Sequence, residues 1–417
     1  MSKNRRKIIV IGGGAAGMMA ACQAAKAGAR VLLLEKMKRP GLKIGIAGKG
    51  RCNLTNIAEL SVFIEHFGRN GRFLYQTFNQ FFSEDLITFF SEHGLEVVTE
   101  RGGRVFPKSG KALEIVKVLR RLLEKSGVKF IPSTRVRQLL VTEQHISGVD
   151  CGDLRYTCDA AILTTGGASY PATGSSGDGY LLAGGLGHRI IEPRPALVPL
   201  ETTKNTAELT GLHLRNIALR LLINGKRTGR YFGELVFMEY GISGPVILTL
   251  SLQVVDALLS RARVAVLLDM KPALDEHKLD ARLRRDFEKR CHEPLASVLR
   301  GLLPAQLISI CLRETGINGT LEAGMIPGRQ RKKLLHWLKN FRLEISGFRG
   351  FDEAIVTAGG VDLREVNPKT MQSKLVSGLY LAGELLDLQG DTGGYNLQAA
   401  FSTGWVAGRS AAKRTGE

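Results

Sequence analysis

The 417-residue sequence predicts an α/β fold in which both ends of the chain build one domain around a central insertion. Three observations lead to this prediction. The chain starts with a strand, a glycine turn, a helix and a second strand. Near its end, a further strand and a glycine turn precede the terminal helix. The pattern changes near residue 190, where Pro193, Pro195 and Pro199 interrupt it.

The first unit, residues 7–35, has glycine at the first, third and sixth positions of its turn. Gly12 permits the tight turn, Gly14 lets a pyrophosphate approach the backbone, and Gly17 lets the helix pack closely on the strand. Glu35 ends the second strand, where a carboxylate accepts hydrogen bonds from an adenosine ribose. The unit therefore predicts a bound dinucleotide. The alternative, a glycine-rich turn in some other α/β protein, does not explain Glu35.

The composition, 44% hydrophobic and 23% charged residues, is that of a soluble globular protein. No apolar run is long enough and free enough of glycine to span a bilayer, so we expect no membrane association. Six cysteines lack any CxxC spacing, which predicts neither a metal site nor a redox pair. A reducing cytoplasm is therefore the expected location.

The formal net charge is +19, and the basic residues are clustered. Residues 36–51 contain six Lys or Arg and no acid, residues 101–137 contain eleven against two acids, and residues 276–342 contain fourteen against seven. Such an excess favours a polyanionic partner, because each neutralised phosphate releases counterions. A basic but merely solvated surface is the alternative. A membrane surface is a weaker one, because no amphipathic helix with an aromatic face is evident.

The second half of the chain identifies the dinucleotide. A strand ends at Gly383-Glu384, and a glycine turn then opens a helix over residues 396–412. This segment resembles the closing segment of glutathione-reductase-like FAD proteins. In those proteins the acid binds the ribityl chain and the helix N-terminus, here near Asn396, faces the pyrimidine edge of the flavin, where it stabilises negative charge. The chain has no second GxGxxG unit, so NAD(P)H would dock only transiently. The absence of a CxxxxC pair argues against dithiol chemistry of the disulfide-reductase kind.

The expected fold class is therefore α/β, a glutathione-reductase-like FAD-binding Rossmann domain with an inserted β domain and a helical subdomain. The Rossmann domain would comprise residues 1–190 and 350–417. Alternating segments predict the β domain at 191–271, and proline-broken helical segments predict the helical subdomain at 272–349. We find no internal repeat.

Three further motifs carry a family resemblance: RCNLTN at 51–56, YGISGP at 240–245, and a C-terminal set. The C-terminal set consists of AGGV at 358–361, Gly383-Glu384 with Asp387, and GGYNLQ at 393–398. Together, over nearly the whole chain, they resemble the bacterial YhiN/BaiN family of FAD proteins, also labelled aminoacetone-oxidase-like. The segment IAGKG at 46–50 departs from the family pattern, because Lys49 adds charge where glycines are usual.

The resemblance implies an FAD-dependent oxidoreductase. Members of the family are associated with three reactions: oxidation of small amines, reduction of steroid enones, and reduction of a uridine in large-subunit ribosomal RNA to dihydrouridine. The charge favours the last, because a steroid or amine gives no reason for +19. Two alternatives stay open: a small-molecule flavoenzyme, and an FAD-bound ribosome-binding or assembly factor. We expect ribosomal RNA or its precursor as partner and predict no protein partner. The target nucleotide, the choice between NADH and NADPH, and the oligomeric state are left open.

The candidate proton donors are Cys52, Tyr240 and Tyr395. Arg51 and Lys49 would lower the pKa of the Cys52 thiol, although a small cysteine that packs the loop is an equal alternative. Tyr240 flanks a glycine, as Ser243 does, and the two residues could instead shape a turn.

The candidate cofactor-binding residues are those of the two glycine turns, the strand ends and the loop after Glu35: Gly12, Gly14, Ala15, Ala16, Gly17, Glu35, Lys36, Lys43, Arg51, Cys52, Asn53, Asn56, Thr165, Gly166, Gly167, Gly383, Glu384, Gly394, Asn396 and Leu397. Asn53 and Asn56 would hold backbone or flavin carbonyls, with a helix N-cap as the alternative for Asn56. The candidate RNA-binding residues are basic: Lys49, Arg104, Lys108, Arg120, Arg121, Arg331, Lys332 and Lys333.

Overall fold

A computed structural model describes residues 5–413. The chain divides into two compact units. The Rossmann unit contains the chain up to Ala196 and again from Phe351, and the central unit spans Leu197–Gly350. Within the described range, no helix has the length and apolar composition needed to cross a bilayer.

The first part of the Rossmann unit alternates strands and helices. Its strands are β1 (Lys7–Ile11), β2 (Arg30–Leu34), β3 (Thr55–Asn56), β4 (Val97–Glu100), β5 (Arg104–Pro107), β6 (Lys129–Ile131), β7 (Gln138–Thr142), β8 (His145–Asp150), β9 (Arg155–Thr157), β10 (Ala160–Leu163) and β11 (Ile190–Ala196). Its helices are α1 (Ala15–Lys26), α2 (Leu42–Ile46), α3 (Leu60–Glu65), α4 (Tyr75–Phe78), α5 (Ser83–Glu92), α6 (Leu113–Lys125) and α7 (Asp178–Gly184).

The central unit contains β12 (Leu200–Thr202), β13 (His213–Ile223), β14 (Lys226–Met238), β15 (Gly241–Ser243), α8 (Pro245–Leu259), β16 (Val264–Asp269), α9 (Glu276–Lys289), α10 (Leu295–Leu299), α11 (Ala305–Thr315), α12 (Gly328–Lys339) and β17 (Phe341–Phe348). The chain then returns to the Rossmann unit with β18 (Val356–Val361), β19 (Leu379–Leu381) and α13 (Tyr395–Ala412).

The core of the Rossmann unit is a parallel sheet in the order β19-β10-β1-β2-β6. Residues Ile8–Ile11 of the central strand β1 are buried, as expected for a strand covered on both faces. The carboxyl ends of β1, β2 and β10 meet at one edge of the sheet, where open α/β sheets bind their ligands. The strand β19 from the C-terminal part completes this sheet, so the two ends of the chain form one domain.

The first and last helices, α1 and α13, pack closely. A Cβ atom on Gly404 would overlap the carbonyl oxygen of Ala16, and one on Gly408 would overlap that of Ala20. The backbones approach this closely because α13 presents glycine at both contacts and α1 presents only alanine there. The alanine-rich composition of α1 is therefore a packing requirement as well as a helix signal.

The strands of the central unit close into a barrel in the order β12-β15-β14-β13-β16-β17. The barrel and the helices of this unit share one hydrophobic cluster, which includes Phe237, Leu268, Leu283 and Trp337. Two local features differ from the expected pattern. Strand β17 begins at Phe341, inside the segment expected to be helical, and helix α8 lies inside the expected β domain, where it was missed because it is apolar on most faces.

Candidate functional site

The first glycine turn adopts the conformations that its spacing demands. Gly12 has φ +101°, and a Cβ atom there would lie 2.6 Å from the carbonyl oxygen of Thr164. A Cβ on Gly17 would overlap the carbonyl oxygen of Gly12, whereas a Cβ on Gly14 would meet no atom within 4 Å. Gly14 therefore faces open space directly before helix α1. No side chain caps this helix, so the N–H groups of its first turn, including those of Ala15 and Ala16, are available to an anion.

Glu35 lies at the end of β2 and is tied to the turn. Its carboxylate accepts a hydrogen bond from the backbone N–H of Gly13 (2.6 Å) and another from that of Met37 (2.8 Å). These bonds fix the carboxylate at the mouth of a small cleft on the edge of the sheet. The cleft is lined by Ile11, Gly12, Leu34, Glu35, Lys36, Thr134, Arg135, Val136, Thr165, Gly174, Asp178 and Leu182.

Sequence reasoning named Lys36 in this cleft but missed the two residues that it contacts there or lies beside, Asp178 and Arg135. Lys36 forms an ion pair with Asp178 (2.8 Å), and Arg135 contacts the other carboxylate oxygen (2.8 Å). The two cations hold the pKa of Asp178 below its ordinary value, although burial opposes them. No sequence motif marks this pairing, because Lys36, Arg135 and Asp178 lie far apart along the chain.

Two of the predicted residues, Asn56 and Asn396, hold the second glycine turn. The amide nitrogen of Asn56 donates to the carbonyl oxygens of Gly102 (2.9 Å) and Gly393 (3.1 Å), so Asn56 is not a helix N-cap. The side chain of Asn396 accepts from the N–H of Gly390 (2.7 Å) and donates to its carbonyl (2.8 Å). Both side chains therefore position the turn at the start of α13.

Helix α13 is preceded by Gly394, which has φ +101° and no capping side chain. As at α1, no capping side chain competes with a ligand for the N–H groups of the first turn. These groups include that of the half-buried Leu397. The two helices that the sequence assigns to the dinucleotide thus start in the same way.

Glu384 follows β19 and lies in a dense hydrogen-bond cluster. One carboxylate oxygen accepts from the Ser169 hydroxyl (2.7 Å) and the Thr357 backbone N–H (2.8 Å), and the other pairs with Lys43 (2.6 Å). Lys43 also donates to Ser169 (2.5 Å). The cluster needs glycine beside it, because a Cβ on Gly167 would lie 2.5 Å from the Thr357 hydroxyl. Gly166 (φ +76°), which follows β10, and Gly383 (φ +77°), which follows β19, both adopt the left-handed backbone conformation that favours glycine.

Two buried side-chain oxygens that lack a hydrogen-bond partner within residues 5–413 also fit a bound dinucleotide at this site. The side-chain oxygens of Asn53 and Thr165 are buried, and within the described part of the chain neither has a hydrogen-bond partner. Such orphaned groups are rare in native proteins and usually mark an unfilled contact. With the open space at Gly14 and two uncapped helix N-termini, they provide the donors and acceptors that FAD would engage.

The expected activation of Cys52 is wrong. Its side chain is 0% exposed, and burial raises the pKa of the thiol to about 12. Arg51 does not offset this, because its guanidinium lies over the ring of Phe106 (4.4 Å) and pairs with Glu100. The alternative, a cysteine that packs the loop, fits the structure.

Tyr395 belongs to an aromatic cluster at the start of α13. Its ring contacts Phe63 edge-on (4.7 Å between centroids) and stacks on His66 (4.0 Å). His66 in turn bonds Asp391 (2.8 Å). Burial, together with Asp391, raises the pKa of the Tyr395 hydroxyl. Sequence reasoning missed His66, since no motif links it to a helix that begins more than three hundred residues later.

The remaining candidate, Tyr240, lies in the central unit, where the guanidinium of Arg349 covers its ring at 4.6 Å. Residues Gly241–Ser243 form strand β15 of the barrel, and Gly244 (φ +100°) starts helix α8. The YGISGP motif therefore builds a strand-to-helix corner.

Not every candidate RNA-binding residue is free. Lys49, Arg120 and Arg121 are exposed, as are Lys332 and Lys333. Three others have partners: Lys108 pairs with Glu96 (2.7 Å), Arg331 with Asp280 (2.9 Å), and Arg104 donates to the Arg101 carbonyl (3.1 Å). The Arg331 pair is largely buried between α9 and α12 and holds these helices together.

Comparison with known proteins gives matches over almost the whole chain. The family model described as "HI0933-like protein Rossmann domain" matches residues 6–410. A protein of Clostridium scindens named 3-dehydro-bile acid delta(4,6)-reductase is 34% identical over 400 residues, which cover 95% of this chain and 97% of that protein. A Haemophilus influenzae protein named ribosomal RNA dihydrouridine synthase is 30% identical over 401 residues, covering 95% and 96%.

Among solved structures, the 3-ketosteroid-delta4-(5alpha)-dehydrogenase of Rhodococcus jostii aligns with a TM-score of 0.53 at 17% identity, covering 99% of each chain. This likeness concerns the fold alone. The fold is that of an FAD-binding Rossmann protein of the glutathione-reductase-like type, as the sequence predicted. With the family match and the two relatives, it shows that the chain belongs to the HI0933-like Rossmann family, the YhiN/BaiN type of FAD-dependent oxidoreductase.

Proposed function

We propose that this protein is an NAD(P)H-dependent flavoenzyme that reduces a uridine of large-subunit ribosomal RNA to dihydrouridine. The observation that carries the proposal is the exposed basic surface. Helix α6 presents Lys117, Arg120, Arg121 and Lys125 to solvent, and no carboxylate in residues 5–413 forms an ion pair with any of them. The relative from Haemophilus influenzae bears the name of this activity. Exposed, unpaired cations bind phosphate and gain the free energy of counterion release.

The reaction is the reduction of a ring double bond conjugated to a carbonyl. The C5=C6 bond of uracil takes a hydride at C6 and a proton at C5, so uridine, NAD(P)H and a proton give dihydrouridine and NAD(P)⁺. FAD, when bound, would supply the redox chemistry that carries the hydride of NAD(P)H to the uracil ring. The target base has to leave its stack to reach this position, and phosphate contacts on the basic surface offset that cost of a few kcal/mol.

The protein's own groups hold the cofactor and supply the proton. The N-terminus of α1 and Glu35 would hold the pyrophosphate and the adenosine ribose, Glu384 with Lys43 would orient the ribityl chain, and the N-terminus of α13 would stabilise negative charge on the flavin. Tyr395 is the preferred proton donor of the three candidates, because it lies in the first turn of α13, at the helix N-terminus that we assign to the flavin, whereas Tyr240 lies in the central unit. Cys52 is a weaker candidate, because its thiol is fully buried.

A second candidate function is reduction of a small ring enone. The relative of higher identity, from Clostridium scindens, is named as a reductase of a 3-dehydro bile acid, and a 3-oxo group conjugated to ring double bonds presents the same electrophile as uracil. This candidate requires a closed apolar pocket for the substrate and no RNA contact.

The deciding experiment uses a strain that lacks the gene. Mass spectrometry of ribosomal RNA nucleosides should show loss of one dihydrouridine, which returns with the wild-type gene and not with a Tyr395→Phe variant that still binds FAD. Unchanged dihydrouridine would contradict the proposal. Turnover of a steroid enone would then support the second candidate. Binding of ribosomal RNA without NAD(P)H-dependent bleaching of the flavin would instead indicate an assembly factor.

A further inference from the structure

The hairpin of β13 and β14 carries an aromatic ring that the fold leaves uncovered. Along β14 the inward side chains are packed: Tyr231 donates its hydroxyl to Gln253 on α8 (2.7 Å), and Leu235 and Phe237 are buried. Phe232 alternates to the outer face and is 65% exposed. An exposed phenylalanine in the middle of a long strand contributes nothing to the core.

Arginine and lysine predominate on the side of this ring toward the hairpin tip, and the exposed Glu234 follows the ring on the other side. From Thr210 to Gly233 the sequence contains five basic residues and no acid. Four of them, Arg215, Lys226, Arg227 and Arg230, are exposed, and none forms an ion pair with a carboxylate anywhere in the described part of the chain.

The placement of Arg230 costs the fold free energy. It lies directly opposite Arg220 in the antiparallel register, and like charges in facing positions destabilise a sheet. The Arg220 guanidinium donates to the Asn340 side chain (2.5 Å) and to the Lys339 carbonyl (3.0 Å), whereas Arg230 is exposed to solvent. A charge that weakens the sheet and has no partner within it points to a partner outside the chain.

The tip of the hairpin extends this basic surface. The Asn224 side chain accepts a hydrogen bond from the backbone N–H of Arg263 (2.9 Å), which places the turn beside the start of β16. Arg261 and Arg263 are exposed there, next to Lys226 and Arg227. The surface thus runs from Phe232 to the tip, about 20 Å at the rise of a β-strand.

We propose that this outer face of the β13–β14 hairpin is a contact surface for single-stranded RNA. Phe232 stacks on one unpaired base, while Arg230 and the cations of the tip bind the flanking phosphates. Interleaved aromatic and basic side chains are the combination that binds single strands, because every base has a stacking face and every linkage a charge. An apolar protein partner would not require the unpaired cations. The inference rests on the proposed function and adds a second RNA contact outside the Rossmann unit.

The test is direct binding, without NAD(P)H, of the FAD-loaded full-length protein to a labelled single-stranded oligouridylate, measured by fluorescence anisotropy. Phe232→Ala should weaken binding about tenfold or more, and Phe232→Trp should retain it. Met325→Ala is the matched control, since Met325 is another exposed apolar residue of the central unit (72%) and lies on a different segment. The double change Lys226→Gln with Arg227→Gln should lower the slope of log affinity against log salt by about 2.

Equal affinity of Phe232→Ala and wild type would overturn the inference, as would a wild type that does not bind the oligonucleotide. A change in oligomeric state by light scattering, with RNA affinity unchanged, would identify an interface between copies instead and would also overturn it. Ribosomal dihydrouridine in the complemented deletion strain is scored separately. With Phe232→Ala, normal dihydrouridine together with unchanged RNA binding refutes the RNA surface alone. With the wild-type protein, absent dihydrouridine together with intact RNA binding refutes the proposed reaction alone.

Discussion

The carbonyl oxygen of Ala16 occupies the position that a Cβ atom would need on Gly404, so helices α1 and α13 are in backbone contact. This contact joins the first and last helices of the chain. It also sets the separation of the two uncapped helix N-termini, at Gly14 and Gly394, that we assign to the two ends of FAD.

Gly404→Ala should therefore destabilise the protein. The added methyl group forces the helices apart, an overpacking change that costs about 1–3 kcal/mol. Urea denaturation measures the loss in the free energy of unfolding. Gly350→Ala is the control, because a Cβ there meets no atom within 4 Å. An equal effect of both changes would contradict the close helix contact.

Gly14→Val should abolish FAD binding while the fold is kept. Gly14 has an extended backbone (φ −80°, ψ −165°) that valine adopts readily, and its Cβ would project into open space. That space is where we place the pyrophosphate. The flavin absorbance per chain should fall to near zero, and circular dichroism of the apoprotein should match that of wild-type apoprotein. Stoichiometric flavin in the variant would exclude this assignment.

Lys43→Met should weaken both stability and FAD binding. The change leaves the Glu384 carboxylate partly buried without its cation (2.6 Å in the wild type), and we expect a loss of about 1–2 kcal/mol after allowing for solvent screening. Adding Glu384→Gln should restore stability, since an amide needs no counter-charge. A double variant as unstable as Lys43→Met would show that Lys43 acts through other contacts. Chemical denaturation and flavin titration measure the two effects.

Cys52 should resist alkylation in the native protein. Its thiol is fully buried and its pKa is raised to about 12, so almost no thiolate is present or accessible near neutral pH. Peptide mass spectrometry after iodoacetamide treatment should find label on the partly exposed Cys151 and Cys291 first. Cys52 should react only after denaturation. Rapid native labelling of Cys52 would restore it as a proton-donor candidate.

Stability should fall as the pH is lowered through the ordinary histidine range, partly because of His188. Burial lowers the pKa of His188 below its ordinary value of 6.5, against the opposing effect of Glu365 (3.1 Å). Below pH 6.5 the unfolded chain therefore binds a proton that the folded chain does not, and this favours unfolding. Above that pH both states are neutral and the penalty vanishes. Thermal melts at several pH values should show a smaller acid-side loss in His188→Gln, and an unchanged profile would refute this origin.

Local geometry was largely predictable from the sequence. The turn at Gly12 depends on the missing Cβ atoms of Gly12 and Gly17, and a strand and a helix flank it in the chain. The apolar helix α8 was missed for the corresponding reason, because a segment that is buried on most faces has no periodic pattern to distinguish it from a strand.

The sequence by itself determined the FAD-binding Rossmann fold, its construction from both ends of the chain, and the excess of basic charge, because these depend on residue type and short-range spacing. Only the tertiary structure decided how the polar groups are used. It buried Cys52, stacked His66 on Tyr395, paired Arg331 with Asp280, and left Phe232 and Arg230 exposed. Burial and pairing depend on atoms that distant segments bring together, and a pKa follows from those surroundings rather than from sequence neighbours.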